Sequence, residues 1–277
     1  MNDIGLDFTQ AGTWFAEIAN QHFLFIQIDD THIQTWAGAL GVPLRRCYIS
    51  DYKLEERSSA TGLSRERVLS SKLPDPGSIM SGDFAEFLTY IFHAAREDHR
   101  LVISPEKWRL KETRTKTAPY SDVVHFVLPT WPAPSAQDVL ICSEVKGKAT
   151  RDPRYSPINR AIEGMNEDRT SRLAKTLTWL RDKAISEGVE GVSIEQLERF
   201  INATDFPAAT KKFNAVAVIC STLVNDELLD VPTDPIVGFN LIVISVANLY
   251  NAYMSVFESA KQSVADGVSA VGQQGQS

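Results

Sequence analysis

Val139-Leu140-Ile141-Cys142-Ser143-Glu144-Val145-Lys146 is the stretch on which the reading of this chain turns. Four apolar, β-prone residues lead into an acid and a base two positions apart, so Glu144 and Lys146 share one face of a buried strand. A carboxylate buried beside a core costs several kcal/mol unless a cation or a hydrogen-bond network offsets it. Two further acids lie upstream. Asp122 opens the apolar run Val123-Val124-His125-Phe126-Val127-Leu128, and Glu86 sits on a helix predicted from Phe84, Phe87, Leu88, Ile91 and Phe92, with Ser81 as its cap.

Carboxylates without histidine or cysteine companions suit a hard cation. Mg²⁺, with Mn²⁺ as a substitute, takes one or two carboxylates, water and substrate phosphate oxygens. Asp122 and Glu144 are the candidate ligands and the backbone carbonyl of Val145 a further one. The Lys146 ammonium would orient a water and offset charge growing on a phosphate. Plainer readings stand beside each: a strand-edge salt bridge for Glu144 and Lys146, a helix-dipole acid for Glu86, and a core or surface histidine for His125. His93 and His99 lack metal-ligand spacing, and no Gly-x-Ser-x-Gly elbow or Cys/His constellation suggests a covalent nucleophile.

Working outward, the helix, the strands of Leu101-Val102-Ile103, Val123–Leu128 and Val139–Lys146, a helix from Pro157 to Glu187 stopped at Gly188, and a strand at Ala215–Cys220 make an α/β pattern. We expect a mixed central sheet flanked by helices. Ser193-Ile194-Glu195-Gln196 has the form of a capping box. The core spans 81–262. Residues 1–80 form an extension, with a helical candidate around Phe15–Ala19, a strand at Phe23–Ile28, and a polar linker or arm over Lys53–Ser81. The tail, 263–277, is rich in Gln, Gly and Ser and is expected to be disordered.

With 277 residues, 43% of them apolar, the chain can bury a substantial core. Cys47, Cys142 and Cys220 lie far apart and read as core thiols of a reducing compartment, and no export signal is visible at Met1, so a cytoplasmic protein is expected. Ile236–Phe257 carries no charge, but its asparagines and its β-branched front half favour a buried strand running into a helix over a membrane span.

The net charge of −7 argues against a polyanion partner until it is mapped. Ser104–Lys183 holds 15 Lys and Arg against 10 Asp and Glu, leaving 13 against 25 elsewhere. The basic excess surrounds the acids: Lys107, Arg109, Lys111, Arg114 and Lys116 precede Asp122, and Lys148, Arg151, Arg154 and Arg160 follow Lys146. Arg169, Arg172 and Lys175, three apart, line one side of the following helix. Of these, Lys111, Arg114, Lys116, Lys148, Arg151, Arg169 and Arg172 are the candidate nucleic-acid contacts; otherwise they are a solvated face.

A helix with Glu, a strand with Asp, a strand with Glu-x-Lys, then helix and strand resembles the PD-(D/E)xK nuclease superfamily, although Ser121 stands where that pattern has proline. Gly82-Asp83-Phe84-Ala85-Glu86, Tyr120–His125 and Ser143-Glu144-Val145-Lys146-Gly147 are similar to the nuclease-subunit family of the Hachiman anti-phage defence system. The resemblance implies a restriction-endonuclease-like fold and a metal-dependent DNA nuclease working with a separate helicase. It implies that Asp122 and Glu144 hold the metal, Lys146 orients the water and Glu86 is the helical acid. No Gly-x-x-x-x-Gly-Lys-Ser/Thr loop occurs, so any ATP-driven motor belongs to another chain. A non-catalytic scaffold that binds nucleic acid, or an RNA-directed nuclease, would share these residues.

Overall fold

A computed structural model describes residues 4–98 and 101–264. His99 and the tail from 265 onward lie outside the described residues. The chain runs through α1 (Phe8–Gly12), β1 (Ala16–Ile18), β2 (Leu24–Ile28), α2 (Asp30–Tyr48), α3 (Asp51–Thr61), α4 (Arg65–Ser70) and α5 (Ser78–Arg96). It continues through β3 (Val102–Ile103), β4 (Val123–Val127), β5 (Val139–Lys148), α6 (Pro157–Glu167), α7 (Leu173–Ser186) and α8 (Ile194–Ile201). β6 (Thr210–Cys220), α9 (Val224–Glu227), β7 (Asn240–Val246) and α10 (Leu249–Gln262) complete it.

The fold is α/β: one seven-stranded sheet in the order β1-β2-β7-β6-β5-β4-β3, with β2, β7, β6 and β5 mutually parallel and both margins antiparallel. Side chains alternate between two cores. Ile141, Val145, Val216 and Val218 face the layer containing α2, α5 and α10. Leu140, Cys142, Ala215 and Ala217 face α6, α7 and α8. Parallel strands covered on both faces explain the continuous apolar runs read from the sequence.

Several expectations change. The helical candidate at Phe15–Ala19 contains β1, because alternating apolar and polar residues there pair with β2 and do not turn a helix. Lys53–Ser81, read as a linker, carries α3 and α4. Ser58 and Ser59 lie inside α3 and Ser70 ends α4, while the N-caps are Ser50, accepting from the Lys53 amide, and Ser64, accepting from that of Arg67. Ser81 lies within α5, which starts three residues earlier after Gly77. β1 and β2 extend the central sheet, and α2 packs closely on α10, where a Cβ on Gly41 would stand 2.3 Å from Ser259 Oγ. The single helix foreseen from Pro157 to Glu187 is α6 and α7 joined by a π-turn at Asp168–Arg172; Pro157 starts it, and Gly188, at φ +73°, follows its last turn. The capping box at Ser193 is present.

Ile236–Phe257 divides into β7 and α10, and among the described residues no helix is long and apolar enough to cross a membrane. Cys47, Cys142 and Cys220 are buried free thiols.

Candidate active site

Register brings the distant acids together. Val123 pairs with Ser143, so Asp122, one residue before β4, lies beside Glu144 on β5, and its Oδ2 accepts the Val145 amide at 2.8 Å. Glu144 and Lys146 stand opposite Ala215 and Ala217 of β6, whose small side chains leave room for them. α6 closes over Glu144 at Gly164, where a Cβ would sit 2.3 Å from Glu144 Oε1, so no other residue fits without displacing the carboxylate. Glu86 approaches from α5. Glu86, Asp122, Glu144 and Lys146 all line one cleft of about 820 Å³, with Val145, Arg172 and four tyrosines.

Two cations hold Glu144. Lys146 Nζ donates to Glu144 Oε1 at 2.6 Å and to the Val145 carbonyl at 3.0 Å, and stands 3.4 Å from Asp122 Oδ2. Arg172 donates to Glu144 Oε2 at 2.5 Å and, through Nε, to Asp168 Oδ1 at 2.8 Å. Burial, reinforced by the Asp122 charge, nevertheless pushes the Glu144 carboxyl up to about 8. Burial works against the Lys146 ammonium, but Asp122 and Glu144 outweigh it and hold that group above the ordinary lysine range. Glu86 is only 7% exposed and accepts no hydrogen bond from the described residues; burial, then the Asp122 and Asp83 charges, raise its carboxyl well above the ordinary value. Three carboxylates thus crowd a space that favours added positive charge.

Among the described residues no three His, Cys, Asp or Glu side chains are grouped as a metal cage. Mg²⁺ does not need one, since one or two carboxylates with water and phosphate oxygens suffice. The all-oxygen set of Asp122, Glu144 and the Val145 carbonyl fits that chemistry, and a cation there would relieve the crowding of acids that raises the Glu86 carboxyl.

The basic residues divide. Lys111 and Lys148 are both buried, Lys111 against Asp83 at 2.6 Å and beside the Tyr48 ring, Lys148 against Glu227 at 2.5 Å and the Tyr155 carbonyl. A lysine in an apolar stretch needs such a partner. Arg114 is paired with Asp75, while Lys116 and Arg151 are exposed. Arg169 packs over Phe239 and donates to the Val237 carbonyl. The π-turn takes in an extra residue, so Arg169, Arg172 and Lys175 do not form one line and Arg172 turns inward to Glu144. His125 is fully buried, its Nδ1 beside Ser104 Oγ and its ring against Tyr90, a core histidine.

Sequence reasoning missed Asp168, which orients Arg172 and accepts from Ser121 Oγ at 3.0 Å. Ser121 explains its own departure from proline: its amide donates to Thr176 Oγ1 at 3.1 Å, a bond proline could not make. The HamA family model matches residues 14–260, which span all three motifs. No curated protein matches the chain. The chain belongs to the HamA family and is a component of the Hachiman anti-phage defence system.

Proposed function

We propose that the cleft hydrolyses DNA phosphodiesters with Mg²⁺, Mn²⁺ substituting, as the effector of the defence complex in the cytoplasm, with a separate helicase subunit delivering substrate. The observation that carries this is the convergence of Lys146 Nζ with Asp122 Oδ2, Glu144 Oε1 and the Val145 carbonyl, all within 3.4 Å, on the floor of an open cleft. Asp122, Glu144 and the Val145 carbonyl would hold the ion, which when bound supplies Lewis acidity toward a water and a phosphate oxygen. Lys146 releases Glu144 Oε1 for that purpose and, still charged, orients the attacking water and offsets charge on the phosphate. Arg172 fixes the Glu144 carboxylate through Oε2 while Asp168 holds Arg172. A bound cation would favour the ionised form of Glu86, which would then add negative charge on the α5 side of the cleft.

Full-length protein incubated with plasmid DNA, with and without the neighbouring genes' products, should cleave in Mg²⁺ or Mn²⁺ and stop in EDTA. Glu144→Ala and Lys146→Ala should remain folded and inactive. Full activity in either variant, or no cleavage in any divalent ion with the partner present, overturns the proposal. The saturation of Glu144 by Lys146 and Arg172 supports a second reading, a scaffold that binds nucleic acid and whose charges are purely structural. That reading requires no thermal shift with Mg²⁺ or Mn²⁺. RNA digested in preference to DNA would instead identify an RNA-directed nuclease.

A further inference from the structure

The rim of the same cleft carries aromatic side chains that phosphodiester hydrolysis does not require. Tyr120, Tyr155, Tyr250 and Tyr253 all line it. Tyr120 is 41% exposed and Tyr250 45%, and both are among the large apolar side chains left in solvent. Tyr253 is buried against Phe84 and meets Tyr250 edge to face at 5.3 Å, so the outer ring is braced from below. Tyr120, two residues before Asp122, is held at φ +65°. A bulky residue gains nothing locally from that left-handed conformation, which glycine or asparagine adopts more readily. The other non-glycine residue at positive φ among the described residues is Asn248, at φ +47°, which begins the helix that carries Tyr250. The conformation is unfavourable for Tyr120 and ordinary for Asn248, and the tyrosine at the first and the tyrosine two residues after the second both line the cleft.

Charge and depth narrow what the rings meet. The loop after β5 lines the cleft through Ala149, Thr150, Asp152 and Tyr155 and exposes Arg151 and Arg154 beside it, each in a loose surface ion pair at 3.5 Å, with Asp226 and Asp152 respectively, while Glu144 is buried. A duplex keeps its bases stacked inside and offers only its backbone to a rim. An unpaired strand offers both phosphates, which the arginines attract, and π-faces, which stack on tyrosine whatever the base. We propose that Tyr120 and Tyr250 form a stacking platform for unpaired bases, so that this site takes single-stranded or opened DNA and feeds one strand to Asp122 and Glu144. The proposal rests on the nuclease reading for its polymer, and its test is separable from that reading.

Fluorescence anisotropy in EDTA, with full-length protein and fluorescein-labelled oligothymidylate, measures binding without cleavage. Intact single strand should bind about tenfold tighter than an abasic strand of equal length or the matching duplex, the scale of one or two stacked bases. Tyr120→Asn combined with Tyr250→Leu should erase that difference, and Tyr250→Phe, which keeps the ring, should preserve it. Equal binding of intact and abasic strands, or duplex bound as tightly as single strand, overturns the platform, and tighter binding of the matching RNA overturns its assignment to DNA. Digestion in Mn²⁺ is scored independently. Base preference without cleavage supports the platform and sinks the hydrolase reading, whereas cleavage without base preference does the reverse.

Discussion

The two ends of β5 each carry buried charge, and they are built to opposite designs. Before its first residue, Asp138 accepts Arg199 Nε at 2.7 Å, the Ser135 amide at 3.0 Å and the Ser135 hydroxyl at 3.2 Å. Arg199, enclosed between Phe200 and Phe206, also donates to the carbonyls of Ser135 and Pro207, leaving only Nη1 without a partner. One acid meets one base, and both side chains are sealed from solvent. At the other end Asp122, Glu144 and Asp168 gather around Lys146 and Arg172, and Glu86 lines the same cleft as Asp122, Glu144, Lys146 and Arg172. Burial is shared by both clusters, so burial alone does not mark function. Excess of one sign beside an open space does.

The comparison breaks most visibly under truncation. Asp138→Ala should cost about 3–5 kcal/mol of stability by leaving the Arg199 guanidinium buried and unpaired, with no direct effect on chemistry. A fall of less than about 1 kcal/mol in urea denaturation would show that the pair is ornamental. Lys146→Met should do the reverse, preserving the fold and lowering the cleavage rate about 10²- to 10³-fold, as when one preorganised electrostatic group is removed from a reacting centre. Cleavage at the native rate by that variant would place the lysine with the structural charges.

How far this contrast was legible beforehand depended on locality. Period and composition disclosed β4, β5, β6 and β7, because strands buried on both faces are continuously apolar, and they put Glu144 and Lys146 on one side of β5. Helix propensity did not disclose α2, which contains Gly38, Gly41 and Pro43, residues unfavourable inside a helix. Gly41 is instead where α10 comes closest, a fact of packing invisible from one chain segment. For the site, the three acids and the lysine could be named, whereas the fate of the basic residues could not. Lys111 and Lys116 look alike in sequence, and only the position of Asp83 turns one of them inward. Asp168 and Arg172 depended on a π-turn, for which no pattern in the sequence gave notice.

Acidity sharpens the comparison further. The Glu144 carboxyl is raised from its ordinary 4.5 to about 8, chiefly by burial. The folded protein therefore binds a proton that the unfolded chain has already lost across that interval. Stability tied to this group is full below about pH 4.5 and declines as pH rises through 8. Urea midpoints for Glu144→Gln should accordingly gain on the native protein between pH 5 and pH 8. Parallel pH curves for Glu144→Gln and the native protein would mean that Lys146 and Arg172 satisfy Glu144 fully, making the two ends of β5 equivalent.

The smallest effect tests the logic most directly, because its sign is unusual. Replacing a buried charged side chain normally destabilises, since a partner is left behind. Glu86 has no hydrogen-bonding partner among the described residues and lies in the field of Asp122 and Asp83. Glu86→Gln keeps its volume and removes the group that can ionise, so above neutral pH, where the fold must increasingly hold Glu86 charged, it should raise stability by about 1 kcal/mol, in the range commonly gained by relieving a strained functional site. The same change should weaken the thermal shift produced by Mn²⁺, because the cleft then favours a cation less. If Glu86→Gln lowers stability and leaves the Mn²⁺ shift intact, Glu86 belongs to the architecture of α5, and the excess of negative charge shrinks to Asp122 and Glu144 on β4 and β5.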